Sequence, residues 1–287
     1  MLNDLLEHSL AFEYEDGGVT PIPRGHTTGW RVLPALLVAQ GQHGRFCLET
    51  DDGARVIAGT NGAVLMPPGV RHRVEVVSPN GLTSRWCHIT FTLLGTVNVF
   101  SLFQLPLTTD ARVGAEFGEL CAGMTRTPPV ADPTALVHIT HRQALGFHLL
   151  TSILQMSAAS PSAATFLESA HRLTPVFTFL RDHLTEELTR PELAALVHLS
   201  PARFHALFLE AAGVAPMEYI KHLRLRKAQQ LLRTGELAVS EVAAKSGYRD
   251  PFHFSRQFKA EFGVSPLAYR QSSHRWFPSD AEQRARQ

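Results

Sequence analysis

The 287-residue sequence predicts an α+β chain of two domains, a β-barrel or sandwich followed by an all-α domain. Three observations predict it. The first hundred residues carry short apolar alternations separated by turn clusters, with no helical period between them. The last hundred show a three- and four-residue apolar period throughout. That last region also repeats itself at an offset of 50 residues. Charge divides along the same line. Residues 1–164 hold 10 Lys/Arg against 13 Asp/Glu, whereas residues 165–287 hold 17 against 13, which points to an anionic partner for the second half.

Composition narrows the class. Hydrophobic residues make up 44% and charged residues 18%, the balance of a soluble globular protein. Cys47, Cys87 and Cys121 are odd in number, widely spaced and without a CxxC pair, so neither a disulfide framework nor a cysteine zinc site is expected. The amino terminus carries acids early and lacks a basic region before an apolar run, unlike a signal peptide. No stretch of about 18 uninterrupted apolar residues predicts a membrane span. The expected location is the reducing cytoplasm, with no membrane partner.

In the first domain, residues 1–107, six stretches read as strands: RVLPALLVAQ, GRFCLET, ARVIAG, GAVLMPPG, HRVEVV and RWCHITFTLL. TDDG, GTNG and SPNG separate them as turns. The period then changes. ARVGAEFGELCAGM and ALVHITHRQALGFHLLTSILQM read as helices within residues 108–157. In the second, Leu136, Ile139, Ala144, Phe147, Leu150, Ile153 and Leu154 make an apolar stripe that can dock on the barrel or on a second subunit, so this segment is the expected site of homodimerisation. Residues 158–169 are small, polar and Pro-containing and read as a linker.

Residues 170–273 read as helices throughout, followed by a tail at 274–287. A helix near 173–186 comes first. Thr189 is placed to cap the next, and Ser200 to cap a third with Pro201 at its first position. A long helix over 215–235 ends at Gly235, and VSEVAAKSG, DPFHFSRQFKAEFG and SPLAYRQ complete the series. Pro201, Phe204, Phe208, Gly213, Val214, Pro216 and Tyr219 recur as Pro251, Phe254, Phe258, Gly263, Val264, Pro266 and Tyr269. Upstream, Ala194 and Ala195 match Ala243 and Ala244 at an offset of 49. Each copy is a short helix, a tight turn and a capped second helix, the shape of a helix-turn-helix used twice.

On each second helix the i, i+4 phenylalanines face inward and leave other faces free. Ala202, Arg203, His205 and Ala206 are left on the first, and Phe252, His253, Arg256 and Lys259 on the second. A guanidinium can bond two acceptors of guanine at once, which makes Arg256 the sharpest candidate for reading a base edge in a major groove. Lys259, Lys221 and Arg224 read as phosphate contacts, and Arg249 precedes the second helix. The 216–234 helix spans about 28 Å at 1.5 Å per residue, short of the roughly 34 Å between successive groove segments on one DNA face.

The stretch from Ala243 to Arg270, A…GY.D..HFSR.FK..FGVSP..YR, resembles the DNA-binding domain of the AraC/XylS transcription regulators, and the resemblance extends over about 100 residues. It implies that both units contact promoter DNA and that RNA polymerase is a partner. Ala202 and Ala206 depart from the family, whose members place larger contacting side chains there. In the first half, GAVLMPPGVRH resembles the second half of a cupin barrel. PIPRG, PPGVRH and RWCHITF are similar to the effector domain of sugar-responsive AraC-type regulators. That resemblance implies a small-molecule effector, a sugar or related polar metabolite, contacted by Arg24 and His72, with His88 at a stacking position. Trp30 and Trp86 offer flat apolar faces beside them. The alternative is a metal-dependent cupin enzyme with an appended helical domain. The sequence has no HxH cluster, and His43, His72 and His88 are its only candidate ligands, so no catalytic residue, metal or cofactor is expected.

Overall fold

Alternation along the strands sorts the first half of the chain into two cores. A computed structural model describes residues 2–125, 135–234 and 237–273. Helix α1 (Leu2–Ser9) leads into β1 (Ala11–Ile22), β2 (Leu36–Gln42), β3 (Phe46–Thr50), β4 (Arg55–Ala58), β5 (Ala63–Met66), β6 (His72–Val76) and β7 (Leu82–Leu93). Then come β8 (Val97–Asn98), a 3-10 turn, β9 (Phe103–Gln104), α2 (Ala111–Met124), α3 (Ala135–Gln155) and β10 (Ala158–Ala159). All six strands expected from the sequence are present. β1 was not foreseen, because its residues alternate weakly and it lies at the edge of its sheet. An edge tolerates its Pro21.

One sheet runs β1-β7-β2-β5, with β8 on β7, and the other runs β4-β3-β6. Among the described strands the ladders do not close into a continuous barrel; the domain is a cupin-like pair of facing sheets. Leu36, Val38, Ala63, Leu65, Cys87, Ile89 and Phe91 face the helices, against Phe117, Cys121, Leu149 and Ile153. Their neighbours Leu37, Ala39, Val64 and Met66 face the second sheet, against Phe46, Leu48, Val74 and Val76. The period of two along each strand is what gives one sheet two cores. Helix α2 lies close because Gly114 and Gly118, one turn apart, face the sheet. A Cβ on Gly118 would meet Gln40 Oε1 at 2.5 Å.

The stripe on α3 is divided. Leu150 and Ile153 are buried, whereas Leu136 is 68% exposed, Ile139 45% and Phe147 37%, and Val137 beside the stripe is exposed as well. Residues 158–169, expected as a linker, form β10 and most of helix α4 (Pro161–Arg172). Pro161 occupies a first helical position, where its missing N–H costs nothing. Ala163, Phe166 and Ala170 are buried at helical spacing, a stripe that the small residues between them disguise. The boundary between two compact units falls inside this helix, between Thr165 and Phe166.

The second half continues with α5 (Thr174–His183), α6 (Arg190–Ala195), α7 (Pro201–Ala212), α8 (Pro216–Thr234), α9 (Val239–Lys245), α10 (Pro251–Phe262) and α11 (Pro266–Ser273). Thr189 and Glu192 form a capping box on α6. Ser200 Oγ accepts from Arg203 N on α7, and Asp250 accepts from the backbone N–H of Phe252 and His253 on α10. Gly213 and Gly263 end α7 and α10 at φ 71° and 75°, a left-handed conformation that costs glycine nothing. The expected stop at Gly235 and the tail at 274–287 lie outside the described residues.

Candidate nucleic-acid interface and ligand cavity

The sequence repeat is reproduced in side-chain geometry. Phe204, Phe208, Phe254 and Phe258 are each 0% exposed. Phe204 and Phe208 lie 5.5 Å apart at 61°, and Phe254 and Phe258 lie 5.6 Å apart at 60°. Tyr219 meets Phe208 edge-on at 5.2 Å, as Tyr269 meets Phe258 at 5.5 Å. Each buried ring contributes about 1.5–3 kcal/mol, which fixes the roll of α7 and α10 and so decides which residues face outward.

On α7 the exposed residues include Ala202, Arg203, Ala206 and Leu209, and on α10 they include Phe252, His253, Arg256 and Lys259. Phe252 is 77% exposed, an unusual position for a ring without a partner surface. His205 differs from expectation. It is half-buried with an unpartnered buried Nδ1, and it occupies the position of Ser255, whose hydroxyl donates back to Pro251 O. Arg224 is not free for a phosphate. Its Nε donates to Leu184 O at 2.9 Å and its NH2 to Glu186 O at 2.6 Å, so it braces the end of α5 from α8. Lys221 is held by Glu218, one turn away on α8. Arg249 pairs with Glu187 at 2.8 Å, but both groups are exposed, and such a pair is worth at most about 1 kcal/mol.

In the first half, the segment between β1 and β2 runs along the open edge of β6. Arg31 N donates to His72 O and His72 N to Arg31 O, both at 2.9 Å. Residues that exchange both bonds in an antiparallel bridge project to the same face. His72, Val74 and Val76 are the buried residues of β6, so Arg31 faces inward with them. Trp30, one residue earlier, faces outward, where Arg71 and Arg73 stack on it at 5.1 and 5.3 Å.

A cavity of about 220 Å³ opens between the sheets. Ile22, Leu37, Ala39, Phe46, Val74 and Trp86 give it apolar walls, and His26, Thr28, Arg31, Ser84 and His88 supply its polar groups. Of the expected ligand residues, Trp86 and His88 line it, their rings 5.1 Å apart. His72 is fully buried, with Nδ1 donating to Val70 O, and is close enough to feel the charge of Arg31. Arg24 and Trp30 are exposed and line no part of this cavity. The guanidinium is that of Arg31. Sequence reasoning missed it because only the pairing with β6 turns residue 31 inward and residue 30 outward. Burial lowers the pKa of His72 and of His88, and Arg31 lowers both further. His43 lines a separate hollow with Asn80 and Gly81, and among the described residues no three His, Cys, Asp or Glu gather as metal ligands.

A family model for an AraC-like ligand binding domain matches residues 20–150, and one for a helix-turn-helix domain matches residues 193–272. The chain belongs to the AraC/XylS family. Among curated AraC-family relatives, the HTH-type transcriptional activator RhaS of Escherichia coli O139:H28 is 34% identical over 123 residues, 43% of this chain and 44% of the relative. RhaS of Klebsiella pneumoniae (strain 342) is 33% identical over 132 residues, 46% of this chain and 48% of the relative. The matches thus span under half the length of these relatives. Among solved structures, the DNA-binding domain of AdpA in complex with a target DNA is 34% identical, covers 35% of this chain and 91% of that one, and gives a TM-score of 0.34. ToxT from Vibrio cholerae is 13% identical, covers 91% of this chain and 98% of that one, and gives a TM-score of 0.37. Neither family match supports the cupin-enzyme alternative.

Proposed function

We propose that this AraC-family chain is a transcription regulator, not an enzyme, which binds promoter DNA through α7 and α10 and is controlled by a small molecule held in the cavity between the sheets. One observation carries the reading: the two repeat units bury their paired phenylalanines, Phe204 with Phe208 and Phe254 with Phe258, completely and leave a face of each second helix uncommitted. Arg203, His253, Arg256 and Lys259 stand on those faces. Ala202, Ala206 and Phe252 beside them offer apolar contact to thymine methyl groups. Arg249 exchanges Glu187 for a phosphate, and Lys221 adds charge from α8. The exposed start of α3, with Leu136, Val137 and Ile139, is the surface for a homodimer. RNA polymerase is the partner at the promoter, and the compartment is the cytoplasm. Among the described residues no helix is long and apolar enough to cross a membrane.

The test is operator binding by the full chain at fixed salt. Arg256→Ala should lower affinity by about 1–3 kcal/mol and relax preference at one or two base pairs. Lys259→Ala should weaken all sequences alike and flatten the salt dependence by about one counterion. Uniform weakening by Arg256→Ala would remove the base-reading role, and salt-independent binding would remove the DNA reading itself.

A further inference from the structure

Arg31 and His88 line the cavity between the sheets and His72 is buried near Arg31, an unbalanced set of polar groups. Arg31 Nε, His72 Nε2 and His88 Nε2 are all buried and, among the described residues, all without a hydrogen-bond partner. His72 is 0% exposed. Among the described residues no Asp or Glu lines the cavity. The nearby acid that acts on His88 is Asp16, and its carboxylate already accepts from Gly17 N at 2.7 Å. A cation drawn half out of water with no acceptor is costly unless something supplies the opposite charge.

The walls argue from the other side. Five of the six wall residues, Ile22, Leu37, Ala39, Phe46 and Val74, are aliphatic or phenyl groups. A sugar carries a hydroxyl on nearly every carbon, and against these walls most of them would lose water without gaining a partner. A molecule with one charged end and an apolar body has no such loss. The size agrees: a cavity of roughly 150 Å³ encloses benzene, so about 220 Å³ holds a body of that size with an acid group attached.

We infer that the ligand of this cavity is a compact organic monocarboxylate, its carboxylate on Arg31 with His88 and His72 behind it, and its apolar body against Trp86 and Phe46. This rests on the reading of the first half as an effector domain and names the ligand class for it. The planar guanidinium suits a carboxylate, and a charge-assisted bond of this kind is about twice as strong as a neutral one. Proton linkage follows. The groups that act on the two imidazoles are Arg31 on both, the Val70 carbonyl on His72, and Asp16 and His72 on His88. A bound carboxylate offsets Arg31, so binding takes up protons and tightens as pH falls through the range below the ordinary histidine value of about 6.5.

Calorimetry on the full-length protein tests this with benzoate and hexanoate, their neutral counterparts benzamide and hexanamide, and glucose. Each acid should bind at least tenfold more tightly than its amide, and more tightly at pH 6 than at pH 7.5. Arg31→Gln should bring the acids down to the amides, while Arg31→Lys keeps part of the difference. Equal binding of acid and amide, or a pH dependence of the opposite sign in the unaltered protein, overturns the assignment without relying on any variant. Glucose binding that is abolished by His88→Leu overturns the acid and keeps the effector domain. Failure of every probe to bind counts against both.

Discussion

The two helix-turn-helix units share an interior and differ in what they show to solvent. Their paired rings agree within 0.3 Å and a degree, yet α7 exposes Ala202, Ala206 and Leu209 where α10 exposes Phe252, Arg256 and Lys259. Repetition therefore preserved the fold and released the surface. If both faces meet DNA, the second carries most of the charge and the first relies on Arg203 and close apolar approach.

The interiors differ beside the paired rings, and this difference predicts the largest effect. In the second unit a third ring, Phe262, lies 4.5 Å from Phe258 and 6.1 Å from Tyr269. The matching residue of the first unit is Ala212. Phe177 of α5, outside the repeat, takes that role, 5.3 Å from Phe208 and 5.7 Å from Tyr219. Phe177 is 4% exposed, whereas Phe262 is half-buried. Phe177→Ala should thus cost about 3–5 kcal/mol and Phe262→Ala clearly less, measured by chemical denaturation. Equal losses would mean that α5 is an accessory to the first unit and not part of its core.

That asymmetry also marks how far the sequence could be read. The repeat was legible because phenylalanines four apart on a capped helix can be counted along the chain. The strands of the first half were legible from alternation and turn clusters. Phe177 and Arg224 were not, because their partners lie some thirty to forty residues away in sequence and no local pattern points to them. Arg31 was missed for a related reason. It and Arg24 sit in one loop, and only the bridge to His72 decides which of them turns inward. Helix α4 was read as a linker because alanine and serine describe flexible segments and buried helices equally well.

The tight turns offer a sharper contrast of intermediate size. Gly247 has φ 83°, and at an offset of 49 the first unit places His198 at φ 55°. A non-glycine residue in this region costs roughly 1–2 kcal/mol. His198→Gly should therefore stabilise the protein by about 1 kcal/mol, since the αL cost is relieved and some chain entropy is lost. Gly247→Ala should destabilise by more than the backbone term alone, because a Cβ there would stand 2.9 Å from both Arg224 Nε and Thr185 Cα. If both changes cost stability, His198 makes a contact that glycine cannot replace.

The smallest difference lies at the first helix of each unit. On α6, Thr189 Oγ1 accepts from Glu192 N at 3.5 Å while the Glu192 carboxylate accepts from Thr189 N at 2.8 Å, closing a capping box. The same offset of 49 places Ala238 and Glu241 at α9. Glu241 still accepts from Ala238 N at 2.7 Å, but alanine has no oxygen to return the bond, so the second box is half built. Ala238 already holds the extended backbone of a cap residue, φ −62° and ψ 153°. Ala238→Ser should then add about 0.5–1 kcal/mol with no change elsewhere, and Thr189→Ala should remove a similar amount. Thermal melts of the two variants and their combination measure it. The two changes should cancel, because the caps lie in different units and touch no common residue. A gain from Ala238→Ser that vanishes in the Thr189→Ala background would show instead that the two caps are energetically coupled.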